Sequence, residues 1–171
     1  MRPPGAEHAR RRTLARMPMF FIVMALCGNS SSPTVGLTPP RCDIVGTAAS
    51  ERLVGSAAGE VICGRGGDDS IWGYGGDDEI HGGSGRDRIM GGIGEDLIVG
   101  GRGSDRLRGG PAEDRLIGGA DRDILRGQHG PDSLDSLDRT RAREVVHAGR
   151  GTDGCAVDSR DVTIGCETVV S

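Results

Sequence analysis

The sequence predicts an all-β fold, a parallel β-roll (β-solenoid) built from nine-residue units with two units per coil. Three observations carry this. A glycine opens a unit every nine residues from Gly64 to Asp135, an Asp recurs five positions later, and an Ile or Leu recurs two positions after that. The eight units are GRGGDDSIW, GYGGDDEIH, GGSGRDRIM, GGIGEDLIV, GGRGSDRLR, GGPAEDRLI, GGADRDILR and GQHGPDSLD. Self-similarity at a fixed short period is the mark of a stacked-repeat architecture.

Each repeat position has a physical role. Position 6 is Asp69, Asp78, Asp87, Asp96, Asp105, Asp114, Asp123 and Asp132. Position 8 is Ile71, Ile80, Ile89, Ile98, Leu107, Leu116, Leu125 and Leu134. The first six residues of a unit are expected to turn, and the last three to form a short strand. Glycines at positions 1, 2 and 4 allow positive φ and close backbone approach. Alternation along the strand then points position 8 inward and positions 7 and 9 outward. The aliphatic residues should stack as a ladder between two sheets.

The phase continues in weakened form at both ends. Gly46–Val54 and Gly55–Cys63 keep Gly at position 1 and Leu53 or Ile62 at position 8, with Glu51 and Glu60 in the Asp slot. Downstream, Ser136-Leu137-Asp138 breaks the phase. It returns as Arg139–His147 (Glu144, Val146) and Ala148–Ala156 (Gly151, Asp153, Cys155). Imperfect terminal units suit the caps of a solenoid.

Composition agrees with a repetitive scaffold. The chain has 171 residues, 31 glycines, no lysine, and only Phe20, Phe21, Trp72 and Tyr74 as aromatics. A compact core normally draws on larger aromatic area. Residues 1–27 carry five arginines against Glu7, leaving 16 basic and 24 acidic residues downstream, net −8. Such a polyanion repels nucleic acid and attracts cations.

The N-terminus reads as an export signal. Arg10-Arg11-Arg12 and Arg16 precede an apolar run from Met17 to Cys27 that is too short to anchor as a span. Val23-Met24-Ala25 has a small-residue cleavage pattern, while Cys27 before Gly28-Asn29-Ser30 resembles a lipid-anchor cysteine with a tether. Leu26 departs from the small residue such anchors carry. The expected organisation is an export signal over 1–27, a flexible linker over 28–41 and degenerate cap repeats over 42–63. Strict repeats over 64–135 and a C-terminal cap over 136–171 complete it.

Cys42, Cys63, Cys155 and Cys166 form an even set in an exported chain, which suggests disulfides. Of three pairings, spacing favours Cys42–Cys63 and Cys155–Cys166, flanking the repeat block. Zinc does not fit, because no C-x-x-C pair occurs and the histidines are scattered.

The repeat block resembles the RTX, or haemolysin-type, calcium-binding repeat, whose pattern is G-G-x-G-x-D-x-U-x with U a large aliphatic residue. The Cys-flanked ends, with Gly151-Thr152-Asp153-Gly154-Cys155 and Gly165-Cys166-Glu167, also resemble small exported repeat proteins of bacteria. The resemblance implies one Ca²⁺ between each pair of same-side turns, roughly six in all. Its ligands would be the eight position-6 carboxylates with backbone carbonyls of Gly64, Gly66, Gly73, Gly75, Gly82, Gly91 and Gly100. The chemistry agrees: carboxylates stacked roughly 5 Å apart repel without a cation, and Ca²⁺ accepts many oxygens at flexible angles. Asx hydrogen bonding alone is the competing role for any single Asp. Ala112 and Asp121 at position 4, and Gln128 at position 2, should weaken the sites of Asp114, Asp123 and Asp132. Glu51 and Glu60 are a methylene too long for a well-formed site.

With so little apolar surface the metal-free chain should be largely disordered, so that binding free energy becomes folding free energy. Extracellular calcium would fold it after export. No H-E-x-x-H or G-x-S-x-G motif is present, and Gly82-Gly83-Ser84-Gly85 lies within a repeat turn. His81, His129 and His147 are expected on the surface. No enzyme is predicted, and no membrane span. The role expected is structural, adhesive or at the cell surface. Two other readings are an interaction module using an outward strip of Leu97, Val99 and Ile117, or a remnant of a larger secreted toxin or hydrolase. Scattered surface aliphatics are the plainer account of that strip.

Overall fold

The computed structural model describes residues 41–138 and 142–171. The expected export signal, the candidate lipid-anchor Cys27 and nearly all of the expected linker lie outside the described residues. So do Arg139, Thr140 and Arg141 in the first downstream degenerate unit.

Two all-parallel sheets face each other. One contains β1 (Ile44–Val45), β3 (Val61–Gly66), β5 (Glu79–Ser84), β7 (Leu97–Arg102), β9 (Arg115–Ala120), β11 (Ser133–Asp135), β13 (Gly154–Ala156) and β15 (Thr168–Val170), in that order. The other runs β2 (Arg52–Val54), β4 (Ser70–Gly75), β6 (Arg88–Ile93), β8 (Arg106–Pro111), β10 (Ile124–His129), β12 (Val145–Arg150) and β14 (Val162–Ile164). Successive strands alternate between sheets, so each coil uses two nine-residue units. Ile62 pairs with Ile80, Ile80 with Ile98, and Ile98 with Leu116 in one sheet. The same step joins Ile71 to Ile89 and Ile89 to Leu107 in the other.

The step is 18 residues through the strict block and 21 between Asp132 and Asp153, where the interruption after Asp135 is absorbed. The degenerate units nevertheless keep their roles. Val146 pairs with Leu125, and Cys155 with Leu134. Both are buried, extending the ladder of Ile62 to Leu134 into a continuous narrow core.

The division between turn and strand differs from the sequence expectation. Strands β4 to β10 are six residues long, covering positions 7–9 of one unit and 1–3 of the next, while β11 ends at position 9 of the last strict unit. Only positions 4–6 turn. Glycine's low strand propensity hides this, yet parallel neighbours supply ladder partners at positions 2 and 3. For example, Arg65 pairs with Gly83 and Gly66 with Ser84.

Charge is segregated in a way the net value conceals. The outer face of the seven-stranded sheet carries Arg88, Arg106, Arg108 and Arg126 beside Trp72 and Met90, with Arg52 stacked 4.7 Å over the Trp72 ring. Leu97, Val99 and Ile117 do meet on the outer face of the other sheet, each half-buried. Disulfides Cys42–Cys63 and Cys155–Cys166 close the two ends.

Candidate metal centre

Every position-6 Asp from Asp69 to Asp132 sits immediately before a strand and is at most 3% exposed. They form two columns, one per side of the roll: Asp69, Asp87, Asp105 and Asp123, and Asp78, Asp96, Asp114 and Asp132. Within a column each Oδ1 accepts the backbone N–H of the acid one coil earlier. Asp69 N–H donates to Asp87 Oδ1 at 2.8 Å, Asp87 to Asp105 at 2.8 Å, and Asp105 to Asp123 at 2.9 Å. Asp78, Asp96 and Asp114 donate in the same way at 3.0 Å, and Asp132 donates to Asp153 Oδ1 at 2.8 Å. Asp153 thus takes the Asp slot in its degenerate unit.

This bond between coils was not foreseen from the sequence. It differs from a local Asx turn, and it uses only half of each carboxylate. The other oxygen, Oδ2, is buried without a hydrogen-bond partner in Asp69, Asp78, Asp87, Asp96, Asp105, Asp114, Asp132 and Asp153. An anionic oxygen kept from water without a donor is costly.

Oδ2 turns towards the position-1 glycine of its own unit. A Cβ at Gly64 would lie 2.7 Å from Asp69 Oδ2 and 2.5 Å from the Gly82 carbonyl oxygen. The same crowding by Asp78 Oδ2 and the Gly91 carbonyl occurs at Gly73, and by Asp87 Oδ2 and the Gly100 carbonyl at Gly82. Gly91 and Gly100 are crowded by Asp96 and Asp105. Position 1 is therefore glycine for space, and it brings a carboxylate oxygen and a carbonyl oxygen together. Gly66 and Gly75, at position 3, end strands β3 and β4 instead.

Burial raises the carboxyls of both columns. Asp87, Asp96 and Asp132 are pushed up to about 6, Asp114 and Asp123 to about 7, and Asp105 to about 8. Desolvation is the main cause in each. The backbone N–H bond from the previous coil opposes it, and repulsion from neighbouring acids adds to it. Asp69 and Asp78, nearer the N-terminal end, are raised for the same reasons.

The departures from the pattern keep the backbone of the turn. Ala112 (φ 92°) and Asp121 (φ 79°) hold the left-handed conformation at position 4, and Gln128 (φ 94°) holds it at position 2. Arg65 (φ 75°) and Tyr74 (φ 80°) do the same at position 2, where sequence reasoning overlooked that glycine was missing. Glu51 and Glu60 behave differently from the aspartates. Their carboxylates fold back onto Thr47 N–H at 2.6 Å and Ser56 N–H at 3.0 Å, inside their own turns.

Position 5 adds acids that the periodic reading passed over. Asp68 Oδ1 accepts Arg86 N–H at 2.8 Å, and Asp77 Oδ1 accepts Glu95 N–H at 3.0 Å. The donor set of the turns is thus all oxygen: buried carboxylate oxygens lacking donors, next to backbone carbonyls. It fits a hard divalent cation such as Ca²⁺, and offers neither nitrogen nor sulfur to a softer metal.

The model of the RTX calcium-binding nonapeptide repeat, four copies long, matches residues 54–89, 90–125 and 108–136. No curated protein matches the chain. Residues 54–136, with their two stacked columns of buried aspartates, are RTX calcium-binding nonapeptide repeats, and the chain is a calcium-binding repeat protein.

Proposed function

We propose that this is an exported protein whose repeat block folds on Ca²⁺ and then serves as a rigid structural, adhesive or cell-surface element. The observation that carries it is the set of Asp Oδ2 atoms buried without partners along the roll. A carboxylate column of this kind is stable when a cation, or a proton, neutralises it. Asp69, Asp78, Asp87, Asp96, Asp105, Asp114, Asp123 and Asp132 supply the carboxylates. Gly64, Gly66, Gly73, Gly75, Gly82, Gly91 and Gly100 supply carbonyls.

Export is supported by the two end disulfides, which persist in oxidising compartments. The basic-then-apolar start of the chain supports it too. The proposed organisation is an export segment to residue 27, a linker to 41, a cap to 63, strict repeats to 135 and a disulfide-closed cap beyond. Outside the cell, calcium reaches the millimolar range that extracellular modules use. The chain would therefore cross the membrane unfolded and set afterwards.

The test is a calcium titration from chelator into the millimolar range, followed by far-UV circular dichroism and by the fluorescence of Trp72, the single tryptophan. A cooperative gain of β signal with calcium and none with magnesium is expected. A chain equally folded in chelator and in calcium would sink the proposal.

A further inference from the structure

Beyond the glycine turns, the C-terminal cap gathers a second kind of acidic group. Glu144 occupies the Asp slot before β12, and Asp161 occupies the same slot before β14. Asp158 precedes Asp161 by one turn. One carboxylate oxygen from each of the three lies within 4.8 Å of the other two.

The three differ in how they are held. Asp161 is fixed by donors: Glu144 N–H reaches its Oδ1 at 3.1 Å, while Asp158 N–H at 2.8 Å and Ser136 Oγ at 3.0 Å reach its Oδ2. Asp158 Oδ1 accepts Arg160 N–H at 2.7 Å. Glu144 is 1% exposed, and neither Oε1 nor Oε2 has a hydrogen-bond partner. A buried carboxylate with both oxygens unused, aimed at two prearranged carboxylates, needs a positive charge among them.

We propose that Glu144, Asp158 and Asp161 form a Ca²⁺ site of their own, which ties the C-terminal cap to the last full coil. The ligands are hard oxygens only, which suits Ca²⁺ and excludes the nitrogen and sulfur chemistry of zinc sites. No glycine turn takes part, and none of the three is a position-6 Asp of the strict repeats. The longer Glu spans the distance left where the coil step shortens to 17 residues between Glu144 and Asp161. Asp158 and Asp161 lie inside the loop closed by Cys155–Cys166, so the disulfide presents them to Glu144. Metal and disulfide would thus fasten the same end of the roll.

The competing occupant is a proton shared between Glu144 and Asp161. Equilibrium dialysis of the full chain against radioactive calcium near neutral pH separates the two. Glu144→Gln should bind one ion fewer than the unsubstituted chain while keeping its β signal in calcium. Asp158→Asn, on the half-exposed partner outside the ladder, should lose the same ion even where Glu144→Gln folds poorly. An unchanged ion count in Asp158→Asn, or in a folded Glu144→Gln, overturns the site and leaves the shared proton. An unsubstituted chain binding a single ion, lost in these variants, would uphold the cap site while the repeat reading failed. No bound ion at all would end both.

Discussion

Glycine is required for different reasons at different positions of the repeat. At position 1 the backbone angle is ordinary, but any Cβ would strike the Asp carboxylate five residues on, as at Gly64. At positions 2 and 4 the requirement is a positive φ, and five residues meet it without being glycine. A left-handed non-glycine residue costs about 1–2 kcal/mol. Ala112, at φ 92°, has no polar side chain to recover part of that locally. Ala112→Gly should therefore raise the stability of the calcium-loaded roll by roughly 1 kcal/mol, after allowing for the freer unfolded chain. Chemical unfolding in excess calcium reads this directly. A lower midpoint would mean that the methyl group contributes packing that outweighs its backbone strain.

At the level of strands and turns, legibility followed periodicity. The inward Ile and Leu ladder, the two sheets and the Asp columns were all readable, because the spacing repeats without a gap from Gly64 to Asp135. The strand lengths were not, since glycines at positions 1–3 suppress the local signal that parallel neighbours override. Nor was the bond from each backbone N–H to an Asp Oδ1 one coil later, which depends on stacking rather than on local sequence. Glu144 was readable as a degenerate Asp, but its meeting with Asp158 and Asp161 was not, because the coil step changes on both sides of it. The last strands show what an irregular element lacks. Ile164, Val169 and Val170 are exposed, so β14 and β15 gain little from burial. The Cys155–Cys166 bridge carries more of their stability, roughly 3 kcal/mol by the loop-closure argument. Replacing both cysteines with serine should speed hydrogen exchange across 157–170 while leaving the strict block protected. Uniform loss of protection along the whole roll would show instead that the cap nucleates the repeats.

Over the whole molecule, the two carboxylate columns make folding a competition between calcium and protons. The folded, metal-free values of about 6 to 8 exceed the ordinary 3.8 of an aspartate, because burial penalises the charged form. The folded chain then holds more protons than the unfolded chain between roughly pH 4 and 8, so metal-free stability must fall as pH rises through that window. It is fully present below about 4 and spent once the highest groups, Asp105 and Glu144 at about 8, have ionised. Calcium reverses the slope, since the ion binds the ionised oxygens and must displace those protons. In chelator, the β signal and the melting temperature should thus be higher near about pH 5 than near about pH 8, whereas in millimolar calcium the order should invert. Melts followed by circular dichroism in the four conditions test this. A metal-free chain that gains structure on going from acid to alkaline pH would show that the columns are neutralised by some group other than a proton or a cation. The solenoid gives the effect its size: neighbouring coils share each Oδ1 bond, so the acids of one column respond together.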